Sequence, residues 1–271
     1  VIYVFLRKNI SVMQNSSAVP SVILAGAGPG DPELISVKAL KAIKAADVIL
    51  YDALVNPELL GFANDSCKLV NVGKRKGKRE FTQEEINELI VFYACRYTKV
   101  LRLKGGDPYV FGRGHEELEY VVRRGIRVEV IPGISSAIAA PAAIGIPVTK
   151  RGSNESFWVI TGMVSSGAIS KDIVLAAQSS ATVIILMGMT HLAEISKLFA
   201  QHRSPLEPAA IIQHGTLPEQ RFVISNVSQL KEAVEHRGLS SPAVIVIGKV
   251  VNESSVHEIL SQPEVLMKVA V

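Results

Sequence analysis

Short apolar runs separated by amphipathic stretches constrain this chain more than any other feature. In the first half the runs fall at 21–26, 47–51, 68–72, 99–103 and 127–131, each rich in Val, Ile or Leu. Strands buried on both faces read as such continuous apolar runs. Helical patterns lie between them, near 33–45, 56–63, 82–96, 114–124 and 134–144. Thr82 as N-cap with Glu85 three residues on forms a capping box at the head of one of them. Strand–helix alternation implies right-handed βαβ units and a parallel sheet.

The rhythm changes after "GIPVTKRG" (145–152), which reads as a linker. Strands are then expected at 156–162, 181–187, 208–213, 221–226 and 242–250, and "QHGTLPEQRFVIS" reads as a hairpin, so the second sheet is expected to be mixed. The 271 residues, 48% of them hydrophobic, suffice for two α/β domains. The expected layout is an N-terminal α/β domain over 19–146 and a C-terminal one over 153–252. A poorly ordered extension is expected over 1–18, with Met13 as the start, and a tail over 253–271. The first six residues are too short an apolar run to span a bilayer or to form a secretory core. A soluble protein of the cytoplasm is expected, with no membrane partner.

Two cysteines, Cys67 and Cys95, stand far apart, and the six histidines form no H-x-x-x-H pair. Neither a disulfide framework nor a metal site is expected. The net charge is +4 and the pI about 9.0. The cations gather at Lys68, Lys74, Arg75, Lys76, Lys78 and Arg79, again at Lys99, Arg102 and Lys104, and at Lys150 and Arg151. Such clustering suits an anionic ligand.

The stretch "VILAGAGPGDPELIS" (22–36) has the outline of a nucleotide-binding βα turn. A Rossmann fingerprint needs a third small residue where Asp31 stands. Pro29 and Pro32 remove two N–H groups, and a carboxylate at Asp31 would repel a pyrophosphate. Asp31 instead reads as an N-cap with Pro32 at the first helical position. Asp52, after "ADVILY", stands where a dehydrogenase would bind ribose, which keeps a nicotinamide enzyme as an alternative.

In open α/β sheets, ligands bind beyond the carboxyl ends of the strands. The bends there are loaded: 26–32, 51–55, 72–80, 103–117 and 132–137, then 186–190 and 213–216 in the second half. "KGGDPYVFGRG" carries four glycines in eleven residues, more than a plain turn with an Asp-Pro helix start requires. "VGKRKGKRE" reads equally as a solvated basic loop or as a clamp for a polycarboxylate. No aromatics interleave with its charges to stack on bases, so a nucleic-acid partner is not expected, and a salt-dependent RNA binder remains a rival from a different class. Ser135 and Ser136 lack a G-x-S-x-G elbow and suit ligand hydrogen bonding better than a hydrolase triad.

Together, "GAGPGDPELIS", "ADVILYDALV", "VGKRKGKR", "QEEINELI", "RLKGGDPYVFGRGHEE", "VIPGISSA", "GIPVT", "MGM" and "PAVIVIGKVV" resemble the tetrapyrrole methylase family over about residues 20–252. "YDALV", "VGKR" and "GGDPYVFGRG" in combination resemble the branch that acts on uroporphyrinogen III. The resemblance implies a two-domain fold with its active site in the interdomain cleft, S-adenosylmethionine as co-substrate, and a homodimer. It implies methylation at C2 and C7 of uroporphyrinogen III, giving precorrin-2 and S-adenosylhomocysteine. A methylase of the same superfamily acting on a later precorrin or another target is the alternative. The implied cofactor contacts are Pro29, Gly105, Gly106, Asp107, Val110, Ser135, Ser136, Met187 and Gly215. Asp52 and Lys74 fall at acid–base positions. Arg113, with Lys74 and Arg75, falls at substrate positions. His115 and Met163 depart from the family pattern.

Overall fold

The computed structural model describes residues 20–73 and 81–254. Lys74 and Arg75, most of the basic loop, the extension over 1–18 and the tail beyond Ser254 lie outside them. The chain divides between Ser135 and Ser136 into two compact units.

In the first unit, strands β1 (Ser21–Gly26), β2 (Val48–Tyr51), β3 (Lys68–Asn71), β4 (Lys99–Lys104) and β5 (Arg127–Ile131) form one sheet in the order β3-β2-β4-β1-β5. Every pairing is parallel. The expected runs thus become strands with their bounds shifted by a residue or less. Because side chains alternate along a strand, the sheet buries two apolar faces. One face carries Val22, Val48, Leu50 and Val100 against Ile86, Ile90 and Tyr93 of helix α3 (Gln83–Ala94) and Val121 of helix α4 (Gly114–Val122). The other carries Ala25, Ile49, Leu101, Leu103 and Ile131. It packs on Ala39, Ala42 and Ile43 of helix α1 (Val37–Ala45) and Leu59 of helix α2 (Pro57–Leu60). Each fully buried Leu or Ile contributes roughly 1.5–3 kcal/mol.

The Thr82–Glu85 capping box forms in both directions. Asp31 caps as expected, its carboxylate accepting from Glu33 N at 2.9 Å, with Pro32 at the first position. The helix expected over 33–45 is not continuous. A 3-10 turn (Pro32–Leu34) stops at Ile35, and Ser36 begins α1 afresh by accepting from Ala39 N at 3.1 Å. Two caps five residues apart mark two helices, since each satisfies N–H groups that a helix interior would already have paired.

The second unit holds β6 (Phe157–Thr161), β7 (Thr182–Leu186), β8 (Pro208–Gln213), β9 (Arg221–Asn226) and β10 (Ala243–Ile247), in the order β6-β7-β10-β8-β9. β6 and β7 are parallel, and the other pairings are antiparallel, including the expected β8–β9 hairpin. β6, β7 and β8 therefore end at one edge of this mixed sheet. The strand expected over 242–250 stops at Ile247 and passes through Gly248 (φ 148°) into a 3-10 segment, Lys249–Glu253.

The unit boundary, between Ser135 and Ser136, falls before the expected linker at 145–152. Helix α5 (Ser136–Ala143) packs with the second sheet: Ala137, Ala140, Ile144 and Ile146 lie against Ile184, Ala210, Ile212, Val244 and Val246. Its apolar face is buried there, so the helix read as the last of the first domain belongs to the second unit. The opposite face of this sheet packs on Ile173 of helix α6 (Asp172–Gln178), Ile195 and Phe199 of helix α7 (Leu192–His202), and Leu230 of helix α8 (Leu230–Arg237). Among the described residues no helix is long and apolar enough to cross a membrane.

Candidate functional site

All five strands of the first sheet end at one edge, and the bends there are tied together. Gly28 and Gly106 exchange backbone hydrogen bonds, Gly106 N to Gly28 O at 2.7 Å and Gly28 N to Gly106 O at 3.2 Å. Asp107 joins the bend after β4 to the bend after β5. Its Oδ2 accepts from Gly133 N at 3.0 Å and its Oδ1 from Tyr109 N at 2.8 Å. Asn56 Nδ2 donates to Gly30 O at 2.9 Å, linking the bends after β1 and β2.

Glycine is required where three of these backbones meet. A Cβ on Gly26 would stand 2.4 Å from Gly106 O, and one on Gly133 would stand 2.2 Å from the same oxygen. No side chain fits at such distances, so bare backbone forms this surface. Gly105 abuts Leu54, and Gly73 abuts Ala53, in the same way.

Asp52 follows β2 at the same edge. Alternation puts Val48, Leu50 and Asp52 on one face, and the register pairs Leu50 with Arg102. Val100, Arg102 and Lys104 share that face on central β4. Arg102 Nη2 lies 2.6 Å from Asp52 Oδ1 and 3.1 Å from Glu117 Oε1 of α4. Lys104 Nζ lies 3.0 Å from Glu117 Oε1 and 3.6 Å from Asp52 Oδ2. Gln83 Nε2 also donates to Glu117 Oε1, at 3.2 Å, and to Asn87 Oδ1. Burial works against the Arg102 charge, but Glu117 and Asp52 outweigh it and hold the guanidinium above its ordinary value. Arg102 and Lys104 are thus not surface cations for an anionic ligand, as their sequence clustering suggests. They are buried and paired, while Asp52 keeps 27% of its side chain exposed.

Arg113 heads α4 in the left-handed region (φ 58°), with its Nε 2.9 Å from Glu116 Oε1 and Nη2 2.6 Å from Oε2. The hydrogen bond from Arg113 holds the Glu116 carboxyl below its ordinary range. His115 lies edge-on to Tyr109 with ring centroids 6.2 Å apart.

In the second unit Met187 follows β7 at φ 56° and is 49% exposed. A Cβ on Gly162, after β6, would stand 2.3 Å from Gly188 Cα, so these two bends touch. Met163, beside Gly162, is bridged to Ile169. Gly215, after β8, sits between His214 (φ 51°) and Thr216 (φ 73°) and abuts Ala140.

Among the described residues the non-glycine positions with positive φ are Phe111, Arg113, Met187, His214 and Thr216. All five fall in bends singled out from the sequence. A non-glycine residue held there costs of order 1–3 kcal/mol, and such strain clusters at functional sites.

The structure therefore groups Gly105, Gly106 and Asp107 with the 26–30 bend, which contains Pro29, and with Gly133, two residues before Ser135. Asp52 and Arg113 stand on elements of the same unit, whereas Ser136, Met187 and Gly215 belong to the second. Sequence reasoning missed Glu117 and the buried roles of Arg102 and Lys104. A signal was present: two cations at alternate positions of an otherwise apolar central strand must find partners. Among the described residues no group of His, Cys, Asp and Glu is placed to hold a metal ion.

The model of the tetrapyrrole (corrin/porphyrin) methylases matches residues 21–231. The chain is 48% identical over 233 residues to a uroporphyrinogen-III C-methyltransferase of Methanocaldococcus jannaschii, covering 85% of this chain and 96% of that protein. It is 40% identical over 238 residues to a siroheme synthase of Azotobacter vinelandii, covering 86% of this chain but only 51% of that longer protein. Among solved structures, uroporphyrin-III C-methyl transferase from Thermus thermophilus complexed with S-adenyl homocysteine superposes with a TM-score of 0.74 at 36% identity. The match covers 86% of this chain and 99% of that one. The chain belongs to the tetrapyrrole (corrin/porphyrin) methylase family.

Proposed function

We propose that this protein methylates uroporphyrinogen III at C2 and C7, giving precorrin-2 and S-adenosylhomocysteine, as a homodimer in the cytoplasm. The observation that carries the reading is the meeting of the Gly26–Gly28, Gly106 and Gly133 backbones at the carboxyl edge of a parallel sheet, with Asp52 anchored on that edge. The similarity to named methyltransferases supports it.

The residues present suit a sulfonium nucleoside. Pro29, Gly105, Gly106, Val110, Ser135, Ser136, Met187 and Gly215 are uncharged, and Asp107 alone carries charge, of the sign a sulfonium tolerates. These are the residues assigned to hold S-adenosylmethionine. Bound there, it supplies a methyl group whose bond to sulfur breaks with the electron pair left on sulfur.

The remaining work belongs to the chain. Holding two reactants in alignment can supply up to about 7–11 kcal/mol of barrier reduction, which makes the tied bends the leading contribution. Methylation of a ring carbon leaves one proton to be removed, and Asp52, whose Oδ2 is not hydrogen-bonded to Arg102, is assigned to accept it. A general base contributes roughly 10²–10⁴-fold. Lys74 is assigned as the partner acid, and Lys74 and Arg75 as cations for the acetate and propionate arms. Arg113 joins them: with Nε and Nη2 engaged by Glu116, a ligand carboxylate would meet its Nη1 side.

Incubation with uroporphyrinogen III and S-adenosylmethionine, followed by mass spectrometry of the tetrapyrrole, tests the reading. Two added methyl groups are expected, and an unmethylated macrocycle would overturn it.

A further inference from the structure

Two buried cations are shared between two carboxylates, and only one carboxylate reaches solvent. Glu117 is 1% exposed, while Asp52 lies at the working edge. Among the described residues, the hydrogen bonds to the Glu117 carboxylate gather on Oε1: Gln83 Nε2, Arg102 Nε, Arg102 Nη2 and Lys104 Nζ, at 3.0–3.2 Å. Its Oε2 is buried with no hydrogen-bond partner among the described residues. Such an oxygen costs roughly 1–3 kcal/mol, which asks for a reason why the carboxylate is retained.

The distances supply one. Lys104 Nζ is within hydrogen-bond reach of Glu117 and beyond it from Asp52, at 3.6 Å. Arg102 Nη2 is divided between the two. Glu117 thus draws Lys104 back from the edge and leaves Asp52 Oδ2 without a direct donor from β4. Without the Glu117 charge, both cations would turn to Asp52 and tie both of its oxygens.

We infer that Glu117 is a positioning residue for Asp52, setting how readily that carboxylate takes a proton at the working edge. The inference rests on the proposed methylation, in which Asp52 accepts one proton from the methylated macrocycle and later gives it to water. Among the described residues, the charged groups that face Asp52 are Arg102 and Lys104 of β4 and Glu117 of α4; Gln83 and Asn87 of α3 complete the network as neutral partners.

The test is the pH–rate profile of methyl transfer under saturating substrates. In Glu117→Gln, one negative charge near Asp52 is removed while both cations remain. The acidic limb should move to lower pH by on the order of one unit, with a lower plateau and KM values kept within about twofold, because binding groups are untouched. Lys104→Gln removes a cation instead, and its limb should move the opposite way. A purely structural role would lower the rate without moving the limb. If Glu117→Gln does not fold, Glu117→Asp, which keeps the charge but shortens its reach to Lys104, decides: its limb should move the same way by less, and an unmoved limb would overturn the inference. Wild-type product with an unmoved limb in the folded variants would overturn the inference alone. Absence of product from the wild-type protein would overturn the functional reading beneath it.

Discussion

Arg102 donates to Asp52 across two neighbouring parallel strands, Nη2 to Oδ1 at 2.6 Å, from a side chain that is itself 1% exposed. The same guanidinium reaches Glu117 and the carbonyls of Leu50 and Leu103. Removing it would leave one carboxylate buried without its main partner. Arg102→Met should therefore destabilise the protein by about 3–5 kcal/mol, the usual cost of breaking a buried pair from one side. Denaturant unfolding monitored by circular dichroism reads this out, and a loss below 1 kcal/mol would show the pair to be dispensable.

Asp107 holds two bends together through its two oxygens. Asp107→Asn can keep one acceptor but presents an amide N–H₂ where the other stood. A loss of roughly 1.5–3 kcal/mol is expected from a hydrogen bond to a charged group. Affinity for S-adenosylhomocysteine, measured by calorimetry, should fall as well. Unchanged affinity would remove this loop from the cofactor site.

Gly133 is the tightest of the glycine contacts on the 106 carbonyl. Gly133→Ala must push backbone against backbone. Overpacking of this kind costs about 1–3 kcal/mol, and thermal melting should show it together with weakened ligand stabilisation. A variant that melts with the wild type would mean that the bend relaxes freely.

Met187 adopts a left-handed conformation that glycine takes without a steric cost. Met187→Gly is expected to leave stability unchanged or higher while lowering affinity for S-adenosylhomocysteine, a separation typical of strained functional positions. A parallel loss of both would make Met187 a folding residue instead.

The Arg113–Glu116 pair is exposed on both sides. Because the folded Glu116 carboxyl lies below its ordinary value, the contribution of the pair is present above the unfolded carboxylate value. It is lost as pH falls through the folded one. Carboxyl NMR should show Glu116 titrating low in the wild type and returning to the ordinary range in Arg113→Ala. High salt should reduce the difference.

The strands were legible because each is a short apolar run between helix signals, and β1, β5, β8 and β9 match their expected bounds. The Asp31 and Thr82 caps were legible because a cap is local chemistry. The break at Ser36 was not, since apolar periodicity runs through it and only the second cap reveals it. The placement of α5 with the second sheet depends on which sheet offers the better apolar face, a long-range choice that no window of sequence contains. In the site, the glycine bends stood out by composition. Glu117 did not, because an acidic residue in the first turn of a helix ordinarily serves the helix end. Its partnership with Arg102 and Lys104 arises only from the way α4 packs over β4.

Since β1 to β5 all run in one direction, successive turns at the reactive end are separated along the chain by a complete return across the sheet. The bends are cross-tied by the Gly28–Gly106, Asp107–Gly133 and Asn56–Gly30 hydrogen bonds, so a change of length in one is passed to its neighbours through those bonds and not through the strands. An engineer seeking a different acceptor for the same methyl donor must therefore treat these bends as one part mounted on a fixed frame.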